Sequence, residues 1–238
     1  GWEKYMASAT TFTFPSGRGG LPTVRARHPS GSTLVCYLFG AHVASWQVAP
    51  PEGGGGGQEM LFVSREAIFD ATQPIRGGIP LVFPQFGGGA LPNHGFARRS
   101  TWELRSVAGD TITLALTDSE STRKMWGGRR FELLYSVTLG ASSLSTDLRV
   151  RNLGEDPFDF QALLHTYFNL GRSLAAARID GLEGVTFADK LQGGKVLTQP
   201  ANGTGITFTE ETDRIYFGDQ VPPEVVLSGL GGRAGGGG

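Results

Sequence analysis

The sequence predicts an all-β protein, an antiparallel twisted sandwich, on three observations. From Thr23 onward, short runs of alternating apolar and polar residues recur along the chain, the period-two signature of strands with one buried face. Glycine (37) and proline (13) punctuate these runs. Because apolar strands return between them, that density fits frequent turns rather than disorder. Only Ser119 to Trp126 has the pattern of a helix. At 238 residues the chain has the length of one sandwich domain, assigned to residues 23–220 between an N-terminal leader, 1–22, and a Gly-rich tail, 221–238.

Each element follows from local chemistry. Thr23 to His28, Thr33 to Phe39 and His42 to Val48 read as consecutive antiparallel strands, separated by a Pro-Ser-Gly-Ser turn and by the Gly40-Ala41 corner. The glycine run Gly53 to Gly57 reads as a lengthened hairpin loop, because strand composition resumes at Glu59 to Val63. Thr101 to Val107 and Thr111 to Thr117 flank a hairpin turn at Ala108-Gly109-Asp110. In the short helix, Ser119 or Ser121 is placed to cap the start and Gly127-Gly128 to end it. Phe131 to Leu139 and Leu144 to Asn152 form the next pair, and in the second of these Leu148 and Val150 alternate with charged residues. Pro157 to Leu170 reads as a strand with Phe158, Phe160, Ala162 and Leu164 on one side and His165, Tyr167 and Asn169 on the other. Short strands at Arg178, Val185 and Ile206 follow, and alternation fades beyond Val221.

Charge and composition exclude several classes. Twenty-one basic and 22 acidic residues leave a net charge of −1, and no basic stripe stands out of the kind that binds nucleic acid or an anionic membrane surface. No apolar run approaches the ~20 residues of a membrane-spanning helix. The single cysteine, Cys36, lies in an apolar run and reads as core filler in a reducing compartment. These features point to a cytoplasmic protein. Met6-Ala-Ser-Ala-Thr-Thr resembles the opening of an organelle transit peptide, too short to identify one, and makes a plastid the alternative. No histidine, cysteine or carboxylate cluster has metal-ligand spacing, and no nucleotide-binding or nucleophile-elbow motif occurs.

Pro74 to Trp102 concentrates the polar chemistry. Its prolines and glycines describe a long irregular path. The apolar residues Ile79, Leu81, Val82, Phe83 and Phe86 are placed to anchor that path in a core, leaving Arg76, Gln85, His94 and Arg98 to point elsewhere. Arginine presents a planar fork suited to phosphate, so Arg76 and Arg98 are candidates to clamp an anion, against the alternative of structural arginines paired to carboxylates or carbonyls. His165 is the candidate for proton transfer, since imidazole offers both protonation states near neutrality, against the alternative of a histidine on the wet face of a sheet.

The linked motifs Pro74-Ile-Arg-Gly-Gly-Ile-Pro80, Phe83-Pro-Gln-Phe-Gly87 and Leu91-Pro-Asn-His-Gly-Phe-Ala-Arg98, followed by Ser100-Thr-Trp102, resemble the glucose-6-phosphate 1-epimerases, the hexose-6-phosphate mutarotase branch of the aldose 1-epimerase-like proteins. The likeness extends to Gly40–Trp46, Glu59–Ser64, His165-Thr-Tyr-Phe168 and Thr212–Tyr216, covering roughly residues 20 to 217. It implies a sandwich of the galactose mutarotase type and interconversion of the α and β anomers of hexose 6-phosphate. The acid would be His165, the substrate ligands Arg76, Asn93, His94, Arg98 and Asp213, and neither cofactor nor metal would be required. The implied partner is a small-molecule sugar phosphate bound by a monomer, with neither nucleic acid nor membrane. The family's catalytic glutamate follows a Trp-Asn-Pro motif that does not occur after Asp213, and Glu224 lacks the flanking pattern. The resemblance therefore implies a sandwich incomplete at its C-terminal side. Two further readings stand beside this one: a catalytically inactive sugar-phosphate binder, and an epimerase of unphosphorylated aldoses.

Overall fold

The structure is a computed structural model, and it describes residues 9–50, 56–171, 174–230 and 232–233. The described residues form strands, with one α-helix and a few 3₁₀ turns among them. The chain divides into two compact units, the first running to Phe168 and the second spanning Asn169–Gly232.

In the first unit, β1 (Thr11–Thr13), β2 (Thr23–Arg27), β3 (Thr33–Tyr37), β4 (His42–Val48) and β5 (Gln58–Glu59) lie side by side in chain order. All are antiparallel, with Val24 opposite Cys36 and Leu34 opposite Trp46. β1 falls in the stretch assigned to a leader; only three residues long, it carries too little alternation to be recognised by itself. The glycine loop before β5 lies partly outside the described residues, since 51–55 are not described. Gly40, at φ 75°, turns the chain between β3 and β4. A Cβ there would stand 2.9 Å from the Arg98 carbonyl oxygen, so the missing side chain lets the Arg98 turn approach.

A second sheet runs β10 (Leu144–Asn152), β9 (Phe131–Leu139), β8 (Thr111–Thr117) and β7 (Glu103–Ala108). Its hairpins pair Leu144 with Leu139 and Ala108 with Thr111, so Ala108, expected in the turn, is the last residue of β7. The inward faces of the two sheets meet in one core, where Val24, Leu34, Cys36 and Val43 pack with Ile112, Leu114, Phe131, Leu133, Tyr135 and Leu139. Cys36 is fully buried there and burial pushes its thiol pKa up, as fits a filler rather than a nucleophile. The helix α1 (Glu120–Met125) is capped by Ser119, whose side chain accepts from the Thr122 amide while Thr122 Oγ1 accepts from the Ser119 amide. Gly127 and Gly128, both at positive φ, end it, and the Gly128 amide donates to the Arg123 carbonyl at 2.8 Å.

The Pro157–Leu170 strand is shorter than its alternation suggests. Only β11 (Leu163–Leu164) is regular, paired to β6 (Leu81–Val82). On either side the backbone still donates across, from Gln161 to Pro84 O, from His165 to Pro80 O and from Tyr167 to Gly78 O, while the Thr166 amide turns back to Leu164 O at 2.9 Å. Pro80 and Pro84 have no N–H to return, which breaks the ladder beyond β6.

The second unit contains β12 (Arg178–Asp180), β13 (Thr186–Asp189), β14 (Lys195–Thr198), β15 (Ile206–Thr207), β16 (Arg214–Tyr216) and β17 (Val226–Ser228). They form two three-stranded sheets, β15-β12-β17 and β14-β13-β16. β17 lies in the stretch where alternation fades; its pairing to β12 supplies the order that its own pattern lacks.

Candidate functional site

A cavity of about 520 Å³ opens in the first unit, lined by Arg76, Asn93, His94, Arg98, Arg99 and His165, with Phe62, Ser64, Gln73 and Tyr167 completing its wall. Five of the six substrate-site residues expected from the sequence are thus brought together. Asp213 lies in the second unit, where its carboxylate accepts from Lys190 Nζ at 2.8 Å.

Arg76 precedes two glycines that hold the chain against its neighbours. Gly78 has φ 60°, and a Cβ on it would sit 2.3 Å from the Val43 carbonyl oxygen and 2.7 Å from His42 Nε2. Only glycine fits that approach. The Arg76 carbonyl accepts from the Ser64 amide at 3.0 Å, which fixes the backbone while the exposed side chain is left to reach into the cavity.

Arg98 sits in the 3₁₀ turn Ala97–Arg99, whose Ala97 is buried. Buried Trp102 donates from Nε1 to Ala97 O at 3.0 Å and pins that turn. Beneath it Phe96 stacks on Phe131 with centroids 5.5 Å apart and meets Phe83 edge-on at 6.1 Å. One Arg98 terminal nitrogen donates to the Asn93 carbonyl at 2.8 Å, while its buried Nε has no partner among the described residues. Partial burial first, then the adjacent Arg99 charge, hold the Arg98 guanidinium below its ordinary pKa, with a smaller opposing contribution from Tyr167. An arginine so lowered is still a cation. Among the described residues none of Arg76, Arg98 and Arg99 takes part in an ion pair. Three neighbouring cations without a carboxylate favour an anion.

His94 adopts φ 65°, and its Nδ1 accepts from the Gly87 amide at 3.0 Å. Its ring stands 5.8 Å from the His165 ring, nearly edge-on. His165 is stacked on Tyr167 with centroids 4.8 Å apart and planes inclined by 25°.

Two residues of the Pro74 to Trp102 segment stand outside the cavity lining. Gln85 does not face the cavity; its amide closes its own loop, donating to Gly87 O and accepting from the Leu91 amide at 3.2 Å. Phe86 is 42% exposed rather than anchored in the core, and its ring packs on His94 at 5.4 Å. Both sit beyond Pro84, where the chain leaves β6 and the apolar run no longer reports burial. Sequence reasoning did not assign Arg99 or Tyr167 to the site. For Tyr167 a signal existed, since it shares the polar side of the extended segment with His165.

The sequence model of the aldose 1-epimerase family matches residues 22–231. The chain belongs to that family. It is 34% identical over 211 residues to a protein of Cenchrus ciliaris provisionally named glucose-6-phosphate 1-epimerase, with 83% of this chain and 61% of the relative covered. A protein of Escherichia coli strain K12 with the same provisional name is 38% identical over 192 residues, covering 77% of this chain and 59% of the relative. Among solved structures, a provisionally named mutarotase (YeaD) from Salmonella typhimurium superposes with a TM-score of 0.72 at 32% identity, covering 86% of this chain and 66% of that one. The chain therefore spans about three fifths of the length of these two curated relatives. The all-β, antiparallel fold class of the galactose mutarotase type agrees with the expectation from strand patterning and motifs. Among the described residues no helix is long and apolar enough to cross a membrane.

Proposed function

We propose that this aldose 1-epimerase family member interconverts the α and β anomers of a hexose 6-phosphate such as glucose 6-phosphate. The observation that carries the reading is the clustering of Arg76, Arg98 and Arg99, none ion-paired among the described residues, around a cavity that also holds His165. The arginines hold the phosphate by charge-assisted hydrogen bonds and so present the sugar ring to the histidines. His165 protonates the ring oxygen while a base removes the proton of the anomeric hydroxyl. The ring opens to the aldehyde, rotation about the adjacent C–C bond turns the other carbonyl face, and the ring recloses. His94 and Asn93 stand at the same cavity to receive sugar hydroxyls.

A second reading rests on a specific observation. Among the described residues no aspartate or glutamate lines this cavity, and a sugar-phosphate binder without turnover fits the same clamp.

Anomer exchange measured by NMR on pre-equilibrated glucose 6-phosphate and on glucose separates these. The expected result is exchange above the spontaneous rate for the phosphate ester, weak or absent exchange for glucose, and a fall of about 10²- to 10⁴-fold in His165→Asn with little change in affinity. Equal exchange of both sugars would remove the role of the arginines. Binding of the phosphate ester without exchange would leave the binder.

A further inference from the structure

Catalytic imidazoles are commonly oriented by a hydrogen bond to the ring nitrogen that does not face the substrate. His165 has none: among the described residues neither ring nitrogen meets a hydrogen-bond partner, and its only polar tie is the backbone amide bond to Pro80 O at 3.0 Å. Yet the ring is half-buried at the cavity wall, between the face of Tyr167 at 4.8 Å and the edge of His94 at 5.8 Å. Resting on the anomer-exchange reading, we infer that Tyr167 is the positioning residue of this site, its ring holding the His165 imidazole in a single orientation by stacking.

Tyr167 is built for that task. Its amide donates to Gly78 O at 2.8 Å and its carbonyl accepts from the Phe62 amide at 2.9 Å, so its backbone is clamped on both sides. One of those clamps is the glycine that no other residue can replace. Two residues apart on either side of Thr166, whose amide turns back to the Leu164 carbonyl at 2.9 Å, His165 and Tyr167 bring their rings together, and the inclination of 25° between them gives a stack rather than an edge contact. Tyr167 also lines the same cavity as Arg98. Tyr167 therefore packs on the proton donor at the cavity that also holds the anion clamp. A leucine fills space but has no flat face, and it frees the imidazole to turn about its Cβ–Cγ bond.

The test compares Tyr167→Phe with Tyr167→Leu in the full chain. Tyr167→Leu should lower kcat for anomer exchange by roughly tenfold to a hundredfold with KM within about threefold, and Tyr167→Phe, which keeps the ring, should recover most of that loss. A second readout does not depend on turnover. The His165 Cε1–H resonance, assigned by its disappearance in His165→Asn, should keep its ring-current displacement in Tyr167→Phe and lose it in Tyr167→Leu. Unchanged kcat in Tyr167→Leu, an equal loss in both variants, or a resonance indifferent to the ring would overturn the inference. If the wild-type chain shows no exchange but the resonance responds as expected, the stack is upheld and the proposed function falls instead.

Discussion

The two units differ in how much apolar surface each encloses. In the first, two sheets enclose a core holding Trp102, Tyr135, Phe131 and many leucine, isoleucine and valine side chains, and the cavity wall is anchored in that mass through Phe83, Phe96 and Trp102. In the second, strands of two to four residues gather around Leu182, Val185 and Ile206, and Val196, Ile215 and Val226 remain exposed. The difference teaches where a clamp with fixed geometry is affordable. Side chains that must hold a small ligand within fractions of an ångström need a close-packed support that does not give.

The largest effect that sharpens this comparison is a cavity made in each core. Leu133→Ala, at a fully buried position, should destabilise the protein by about 2 to 5 kcal/mol, and Ile206→Ala, in the smaller cluster, by about 1 to 2 kcal/mol. Urea unfolding followed by circular dichroism measures both. Equal losses would show that the second unit is packed as effectively as the first.

Next in size is a proton-linked difference. All four histidines lie before residue 169, and burial drives the His42 imidazole down to about 3. Its unfolded value is near 6.5, so between those limits the unfolded chain binds a proton that the folded chain refuses. Stability present above pH 6.5 is therefore lost as pH falls, by up to about 1.4 kcal/mol per pH unit, and the loss levels off below the folded value. Wild type minus His42→Leu, compared by denaturation between pH 6.5 and 5, isolates this contribution. A difference that does not vary with pH would mean that the ring is solvated or paired in solution.

The smallest effect belongs to the second unit. The Lys190–Asp213 pair has side chains 50% and 47% exposed. Solvent screening limits such a pair to ~0 to 1 kcal/mol, so Lys190→Met should shift the urea midpoint barely at all. A loss above about 2 kcal/mol would show that Asp213 is held more firmly than an exposed ion pair allows.

What the sequence determined by itself was everything carried by near neighbours. Period-two alternation marked β2 to β4 and β7 to β10, the Ser119 cap and the glycine pair delimited α1, and the linked motifs identified the family. Those signals are local because side-chain direction, capping and turn preference depend on a few adjacent residues. Tertiary structure decided the rest. It turned Phe86 outward onto His94 and Gln85 into its own loop, and it shortened the His165 strand because its partner carries prolines. It placed β1 and β17, too brief to announce themselves, against β2 and β12. Above all it stacked Tyr167 on His165 and set both beside Arg76 and Arg98, residues 67 to 91 positions away along the chain. Such distances are closed by pairing β6 with β11 and by the close approach permitted at Gly78, and no local pattern encodes a contact whose two halves are folded together only by the intervening sheets.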